Sequence, residues 1–421
     1  MKQRVGLAGV ALVGVLSFVL GIVAQRVYES RRQPARPPVQ AGARPEAAPR
    51  PPENGGVNVA SINFEQEPLW AYGFLEPPKP GEKAQPQAPP TRNLRPNQDP
   101  GEQTKPRRVN GSSASYSLVD VRDGQNVIDW FPGDHPPMPN VVAHGPAKLG
   151  KNTRGCGSCH LPNGKGRPEN APPSGLPVAY FVRQIQDFRN GVRHTADPRK
   201  PNTNTMIDLA RAMTDEEMKA AAEYFAAIKW TPWIRVVETK MVPKTRIVGN
   251  LFLPAKPAAT EPINGRIIET PEDEEQAETL RNPRSGFVAY VPVGSIKKGE
   301  DLVTTGGMRI VGNRIVQGKT TACGTCHGIN LMGVADVPPI AGRSPSYMVR
   351  QMWDMQQGAR NGPQAQLMKL VVANLTPDDM VAIAAYVSSR PPGAGGAAPA
   401  PAAAVTSRAA EGRRVDTVAA R

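Results

Sequence analysis

Two pentapeptides, Cys156-Gly157-Ser158-Cys159-His160 and Cys323-Gly324-Thr325-Cys326-His327, contain all 4 cysteines of the chain. No thiol is left for a structural disulfide. Cys-x-x-Cys-His is the attachment signature of c-type haem: the two thiols form thioethers with the porphyrin vinyl groups, and the adjacent histidine becomes the proximal iron ligand. A bare Cys-x-x-Cys would also serve as half of a zinc site or as a thioredoxin-like redox pair. Zinc would need two further ligands close by, but the pairs lie 167 residues apart, and a redox pair does not need the histidine appended to each. The spacing therefore predicts two covalently bound haem c groups held by Cys156, Cys159, His160 and by Cys323, Cys326, His327.

The segments around the pentapeptides are duplicates. Tyr180–Arg193 and Tyr347–Arg360 share 7 of 14 residues, at the same 167-residue offset as the cysteines. In the first copy Tyr180, Phe181, Gln184, Ile185 and Phe188 recur at helical spacing and Gly191 ends the pattern. Residues 194–205 read as a loop leading to Met206. A last helix follows, opened by Thr214 with Glu217 three residues on, with Met218, Ala221, Ala222 and Phe225 facing inward. Between the copies, Ile234–Val237 and Phe287–Val291 are β-branched runs flanking the acidic turn Glu272–Glu275, which predicts an extended, partly β connector. The expected fold is mainly α. Its parts are an N-terminal anchor or signal (1–30), a Pro-rich disordered tether (31–112), domain 1 (113–230), the connector (231–293), domain 2 (294–390) and a disordered tail (391–421).

The anchor is read from 20 uncharged residues, Val5 to Ala24, enough at about 1.5 Å per residue to cross a hydrocarbon layer of roughly 30 Å. The run ends Ile22-Val23-Ala24, and bulky Ile22 stands where signal cleavage needs a small residue, so the segment is expected to stay uncleaved. Arg26, Arg31, Arg32 and Arg36 beyond it would argue for a cytoplasmic body. Bacterial c-type haem attachment takes place outside the cytoplasmic membrane, and that outweighs them. The tether holds 17 prolines, and within it Ile62, Phe64, Leu69, Trp70, Tyr72, Phe74 and Leu75 form an apolar island. That island reads either as a docking segment for a partner or as a hook folded back on the haem domains. The net charge of +14 resembles a nucleic-acid signal, but residues 1–112 carry 15 basic against 9 acidic side chains, while each haem segment is only slightly basic. No nucleic-acid motif accompanies the charge.

The sixth iron ligand separates carrier from enzyme, because an open position admits oxygen or peroxide and a second strong ligand closes it. Two methionines occupy equivalent places: Met206 lies 7 residues before Met213-Thr214, and Met368 lies 7 before Leu375-Thr376. His144 and His194 are the alternative ligands for the first iron, otherwise solvated loop residues, as His135 is expected to be.

On these residues the chain resembles class I cytochromes c, and most closely tandem dihaem cytochromes of the cytochrome c-four type, over about 150–230 and 296–390. The resemblance maps the family's distal methionine onto Met206 and Met368. It maps the aromatic-rich middle helix onto Tyr180–Gly191 and Tyr347–Gly358. The proline whose carbonyl orients the proximal histidine falls on Pro338 and on Pro172 or Pro173. The family's opening helix is recognisable at Lys298–Leu302 and degenerate before the first pentapeptide, and the long connector is a departure. The resemblance implies electron transfer by two His/Met haems with no chemistry on a bound substrate, hence no enzyme. The expected partners are redox proteins: a dehydrogenase, a quinol-oxidising complex or an oxidase. The expected site is the periplasmic face of the bacterial inner membrane. The alternatives are a dihaem enzyme, such as a peroxidase or a sulfur-compound oxidase, and a haem subunit of a dehydrogenase complex.

Overall fold

Each copy of the repeat starts its last helix with a capping box, and both boxes form. Thr214 Oγ1 accepts from the Glu217 amide while the Glu217 carboxylate accepts from the Thr214 amide, and Thr376 does the same with Asp379. The computed structural model in which they are seen describes residues 66–82, 94, 97–151 and 153–392. The expected anchor (1–30), the first part of the tether to residue 65 and nearly all of the tail lie outside the described residues.

In chain order these residues form α1 (Leu69–Tyr72), α2 (Pro100–Thr104), α3 (Leu118–Val121) and α4 (Asn140–His144). The first pentapeptide is the helical turn α5 (Cys156–His160), followed by α6 (Val178–Arg189), α7 (Pro201–Ala212) and α8 (Asp215–Ala227). The connector supplies β1 (Ile234–Glu238), β2 (Met241–Pro243), β3 (Thr245–Val248), β4 (Leu251–Pro254), β5 (Thr260–Pro262), β6 (Ile268–Pro271) and β7 (Phe287–Val291). The second domain has α9 (Ser295–Thr305), β8 (Arg309–Val311), β9 (Arg314–Val316), α10 (Gly324–His327), α11 (Pro345–Gln356), α12 (Ala365–Val372) and α13 (Pro377–Ser389). No single helix among the described residues is long and apolar enough to cross a membrane.

The amphipathic faces read in the first copy bury as expected, and the second copy repeats them. Phe181, Ile185 and Phe188 of α6 meet Met218, Ala221, Ala222 and Phe225 of α8 in the first core. Val349, Met352 and Trp353 of α11 meet Met380, Ile383 and Ala384 of α13 in the second. The opening helix α9 packs along α13, whereas its counterpart in domain 1 is the five-residue α4 against α8.

The connector is more β than helical. β1 and β7 pair in parallel with Ile234 opposite Phe287, β6 adds antiparallel to β7, and β2–β5 and β3–β4 are antiparallel pairs. It grips both domains. Trp130 Nε1 donates to Leu280 O (2.8 Å) and Asn163 Nδ2 to Pro283 O (2.5 Å) on the first. On the second, buried Glu269 accepts from the Ser346 amide (2.7 Å) and from Ser344 Oγ (2.9 Å).

One sequence expectation needs correction, and one left open between two readings is decided. Part of the stretch assigned to a disordered tether, 31–112, is folded. Asp99 caps α2, Gln103 is 1% exposed, and Val109 joins Leu118, Val121, Trp130 and Phe131 in a core of its own. Of the apolar island, Ile62 and Phe64 lie outside the described residues, and the rest takes the hook reading: Tyr72 is fully buried in the second domain, donating its hydroxyl to Asp354 Oδ1 (2.7 Å). The proline count averaged over the stretch concealed apolar clusters that find partners hundreds of residues away.

Candidate haem-binding sites

The first pentapeptide coils into one helical turn, which brings Cys156, Cys159 and His160 to the edge of a cavity of about 1290 Å3, counting its open mouth. Met206 lines the same cavity, with Phe181, Ile185 and Phe188 as apolar wall. His160 Nδ1 lies 2.7 Å from the carbonyl oxygen of Ala171, which fixes the ring and leaves Nε2 as the free nitrogen. That carbonyl belongs to the residue before Pro172, a correction to the expected Pro172 or Pro173. Burial holds the His160 imidazole below the ordinary histidine value, so the ring is neutral with a lone pair to give. Burial also pushes the Cys156 thiol up to about 12.

The second site repeats this geometry. His327 Nδ1 lies 2.8 Å from Pro338 O, the expected carbonyl, again eleven residues after the histidine. Burial lowers the His327 pKa and raises that of Cys323 to about 11. Cys323 and Met368 pack against the same core. Cys326 is exposed where Cys159 is half-buried.

Both methionines stand on helices, which corrects the expected loop. Pro201 opens α7, where its fixed φ suits the first helical position and its missing N–H costs nothing, so Met206 falls in the second turn. Met368 lies in α12. Among the other histidines, His194 lines the first cavity and its amide donates to Ala359 O (2.8 Å). His144 Nδ1 donates to Gln125 O (3.0 Å), and His135 sits beside Asp129.

Sequence reasoning missed the seam between the sites. Arg193 donates to Gln184 Oε1 and Gln351 Oε1, each at 2.9 Å. Arg360 mirrors it, donating to Gln351 Oε1 (3.2 Å), Gln184 Oε1 (2.8 Å) and the Tyr180 hydroxyl (2.7 Å). The two arginines also face each other across an antiparallel backbone bridge. Tyr347, Arg350 and Asp354 of domain 2 line the domain 1 cavity, together with the buried Lys200, whose pKa burial drives well down. The signal was present: Tyr, Arg, Gln, Asp and the final Arg are identical in both copies of the 14-residue segment, and a helix packing only a core would not need them.

Two helical domains, each presenting a Cys-x-x-Cys-His turn with its histidine held by a backbone carbonyl, define a c-type haem protein with two centres. The cytochrome c family model matches residues 147–229 and 312–391. Cytochrome c4 of Pseudomonas aeruginosa is 34% identical over 236 residues, covering 55% of this chain and 82% of that protein. A thiosulfate dehydrogenase electron acceptor of Stutzerimonas stutzeri is 34% identical over 237 residues, covering 56% and 78%. The match to cytochrome c4 of Azotobacter vinelandii, 33% identical, covers 20% of this chain and 43% of the length of that relative. Among solved structures, reduced cytochrome c4 from Pseudomonas stutzeri superposes with TM-score 0.35 at 20% identity, over 57% of this chain and 94% of that one. Thiosulfate dehydrogenase from Marichromatium purpuratum superposes with TM-score 0.37 at 24% identity, over 60% and 39%. The chain belongs to the cytochrome c family, as a dihaem electron-transfer protein of the cytochrome c4 type with two covalently bound haem c groups.

Proposed function

We propose that the chain carries electrons between a respiratory donor, a dehydrogenase or a quinol-oxidising complex, and a terminal acceptor, and that it performs no chemistry on a bound substrate. Cys156, Cys159, His160 and Met206 would hold the first haem, and Cys323, Cys326, His327 and Met368 the second. Bound haem supplies a one-electron couple, raised in potential by a methionine ligand. The residues around it orient the proximal imidazole, exclude water with Phe181, Ile185 and Phe188, and set Arg350 in the cavity wall as a counter-charge for a propionate. The observation that carries the reading is one cavity lined by both thiols, the histidine and the methionine.

The sequence of the N-terminus supports a periplasmic carrier tethered to the inner membrane. A narrower role, as electron acceptor of a thiosulfate or other sulfur-compound dehydrogenase, is favoured by relatives bearing that name. The test is spectroscopic. Met206→Ala and Met368→Ala should each convert one of two low-spin haems to high spin and abolish its Met-to-iron charge-transfer band. Unchanged spectra would refute the ligand set, and turnover of peroxide or thiosulfate by the isolated holoprotein would refute the carrier reading.

A further inference from the structure

Arg281 of the connector lies against the first pentapeptide, where its Nη1 donates to Ser158 O (2.8 Å). Burial first, then the neighbouring Arg167, push its pKa down to about 10, against the pull of Cys159, so the guanidinium stays charged at neutral pH. Arg167 is neutralised on both sides, by Glu169 (2.7 Å) and Glu278 (2.5 Å). Arg281 has no ion pair among the described residues, and those two carboxylates act on it only from beyond ion-pair distance.

Nothing local asks for an arginine at this position. Its backbone is left-handed (φ 49°), a region that strains a residue with a Cβ and that glycine or asparagine enters more readily. The turn around it is clamped to domain 1 on both sides. Trp130 Nε1 donates to Leu280 O (2.8 Å), Asn163 Nδ2 donates to Pro283 O (2.5 Å), and Arg284 donates to both oxygens of Asp134 (2.8 and 2.6 Å). Strain of this kind persists where the surroundings over-determine it, and it clusters at functional sites. Here the clamps hold one guanidinium on one carbonyl of the haem-attachment turn.

The second pentapeptide has no such neighbour. Among the described residues no side chain donates to Thr325 O, the carbonyl equivalent to Ser158 O, and Cys326 is exposed. Ile329, two residues beyond, is 96% exposed, where its counterpart Pro162 is buried. Charges there are screened by water, whereas the covered Arg281 acts through a medium of lower dielectric.

We propose that Arg281 tunes the first haem: its fixed positive charge, held beside Cys159, disfavours the ferric state, so the connector raises the affinity of the first centre for an electron and leaves the second as its own ligands set it. The step concerned is the uptake of one electron by a ferric haem from a redox partner. No bond is made or broken and no proton moves. Arg281 acts through the pentapeptide and not at the iron, which makes it a positioning residue. This inference rests on the haem ligand set proposed above.

The test is a spectroelectrochemical titration of the full-length holoprotein. In a Met368→Ala background the second haem is high-spin, and the remaining low-spin band reports the first. Arg281→Asn and Arg281→Gly remove the charge and suit the left-handed backbone, while Arg281→Lys keeps the charge. Either neutral variant should lower the reduction equilibrium constant of the first haem about tenfold, which is about 59 mV for one electron, with an unchanged absorption spectrum. Arg281→Lys should stay within about threefold of its parent, and the neutral variants, read at the second haem in a Met206→Ala background, should shift it less than about twofold. A change under about twofold at the first haem, or an equal change at both haems, would overturn the proposal. So would an equal change in Arg281→Lys and Arg281→Asn, which would give the effect to the Ser158 hydrogen bond instead of the charge. Two low-spin haems in Met368→Ala would instead refute the ligand set. The two waves of the otherwise wild-type protein then carry the comparison, and a neutral variant that moves neither wave, or both alike, overturns the proposal independently.

Discussion

Glu67 is 7% exposed, and neither of its carboxylate oxygens has a hydrogen-bond partner among the described residues. Burial first, then Asp197 and Asp354, push its pKa from 4.5 up to about 8, against the pull of Arg199. The folded protein therefore keeps a proton on Glu67 that the unfolded chain gives up above pH 4.5. Stability from this group is fully present below pH 4.5, falls as pH rises towards 8, and is level beyond it. The slope for one proton is about 1.4 kcal/mol per pH unit. Urea midpoints measured between pH 5 and 9 should fall more steeply in wild type than in Glu67→Gln, which should be the more stable protein at pH 9. Parallel pH profiles would show that Glu67 is ionised in the fold.

At the scale of elements, the hook α1 is a structural part of domain 2. Tyr72 packs in the core of α11 and α13, and its hydroxyl meets a buried carboxylate that also accepts the Ala196 amide (2.8 Å). Arg350 donates to the Ala71 carbonyl from the same core. Removing a buried aromatic side chain costs about 3–5 kcal/mol. Tyr72→Ala should lower the stability of the holoprotein by about that amount in chemical denaturation while leaving the visible spectrum of the folded protein intact. A loss under 1 kcal/mol would mean that the hook rests on the surface. The sequence showed the island and left docking segment and hook as two readings, because seven apolar residues spread over 62–75 carry no record of which surface they fill.

At the scale of the whole molecule, the folded hook shortens what can act as a tether. With Trp70 to Phe74 packed in the domain 2 core, the stretch left between the expected anchor and the described hook is 31–65 rather than 31–112. At about 5–6 Å times the square root of its length, the expected r.m.s. span falls from about 50 Å to about 30–35 Å. Effective concentration at a neighbouring complex depends on that match of reach to distance. Deleting 31–60 should therefore slow electron delivery to membrane-bound partners without altering haem spectra or stability, in contrast to Tyr72→Ala. Delivery at the wild-type rate, or recovery of the native protein as a soluble form beginning near Gln25, would rule out the tethered carrier.

What the sequence determined by itself is local. Five-residue pentapeptides, a 3.6-residue periodicity and capping boxes four residues long state their chemistry within one or two helical turns, so the haem attachment points, α6, α8 and α11 were legible, as was the duplication. What only the tertiary structure decided lies between residues far apart in the chain. Arg193 meets Gln351, Tyr72 meets Asp354 and Arg281 meets Ser158 because three folded bodies close on one another, and no local pattern encodes which buried polar group will satisfy which. The same closure roofs the first centre and leaves the second open. Two nearly identical motifs thus acquire different surroundings, since a buried charge or an exposed isoleucine is defined by what packs against it and not by its neighbours in sequence.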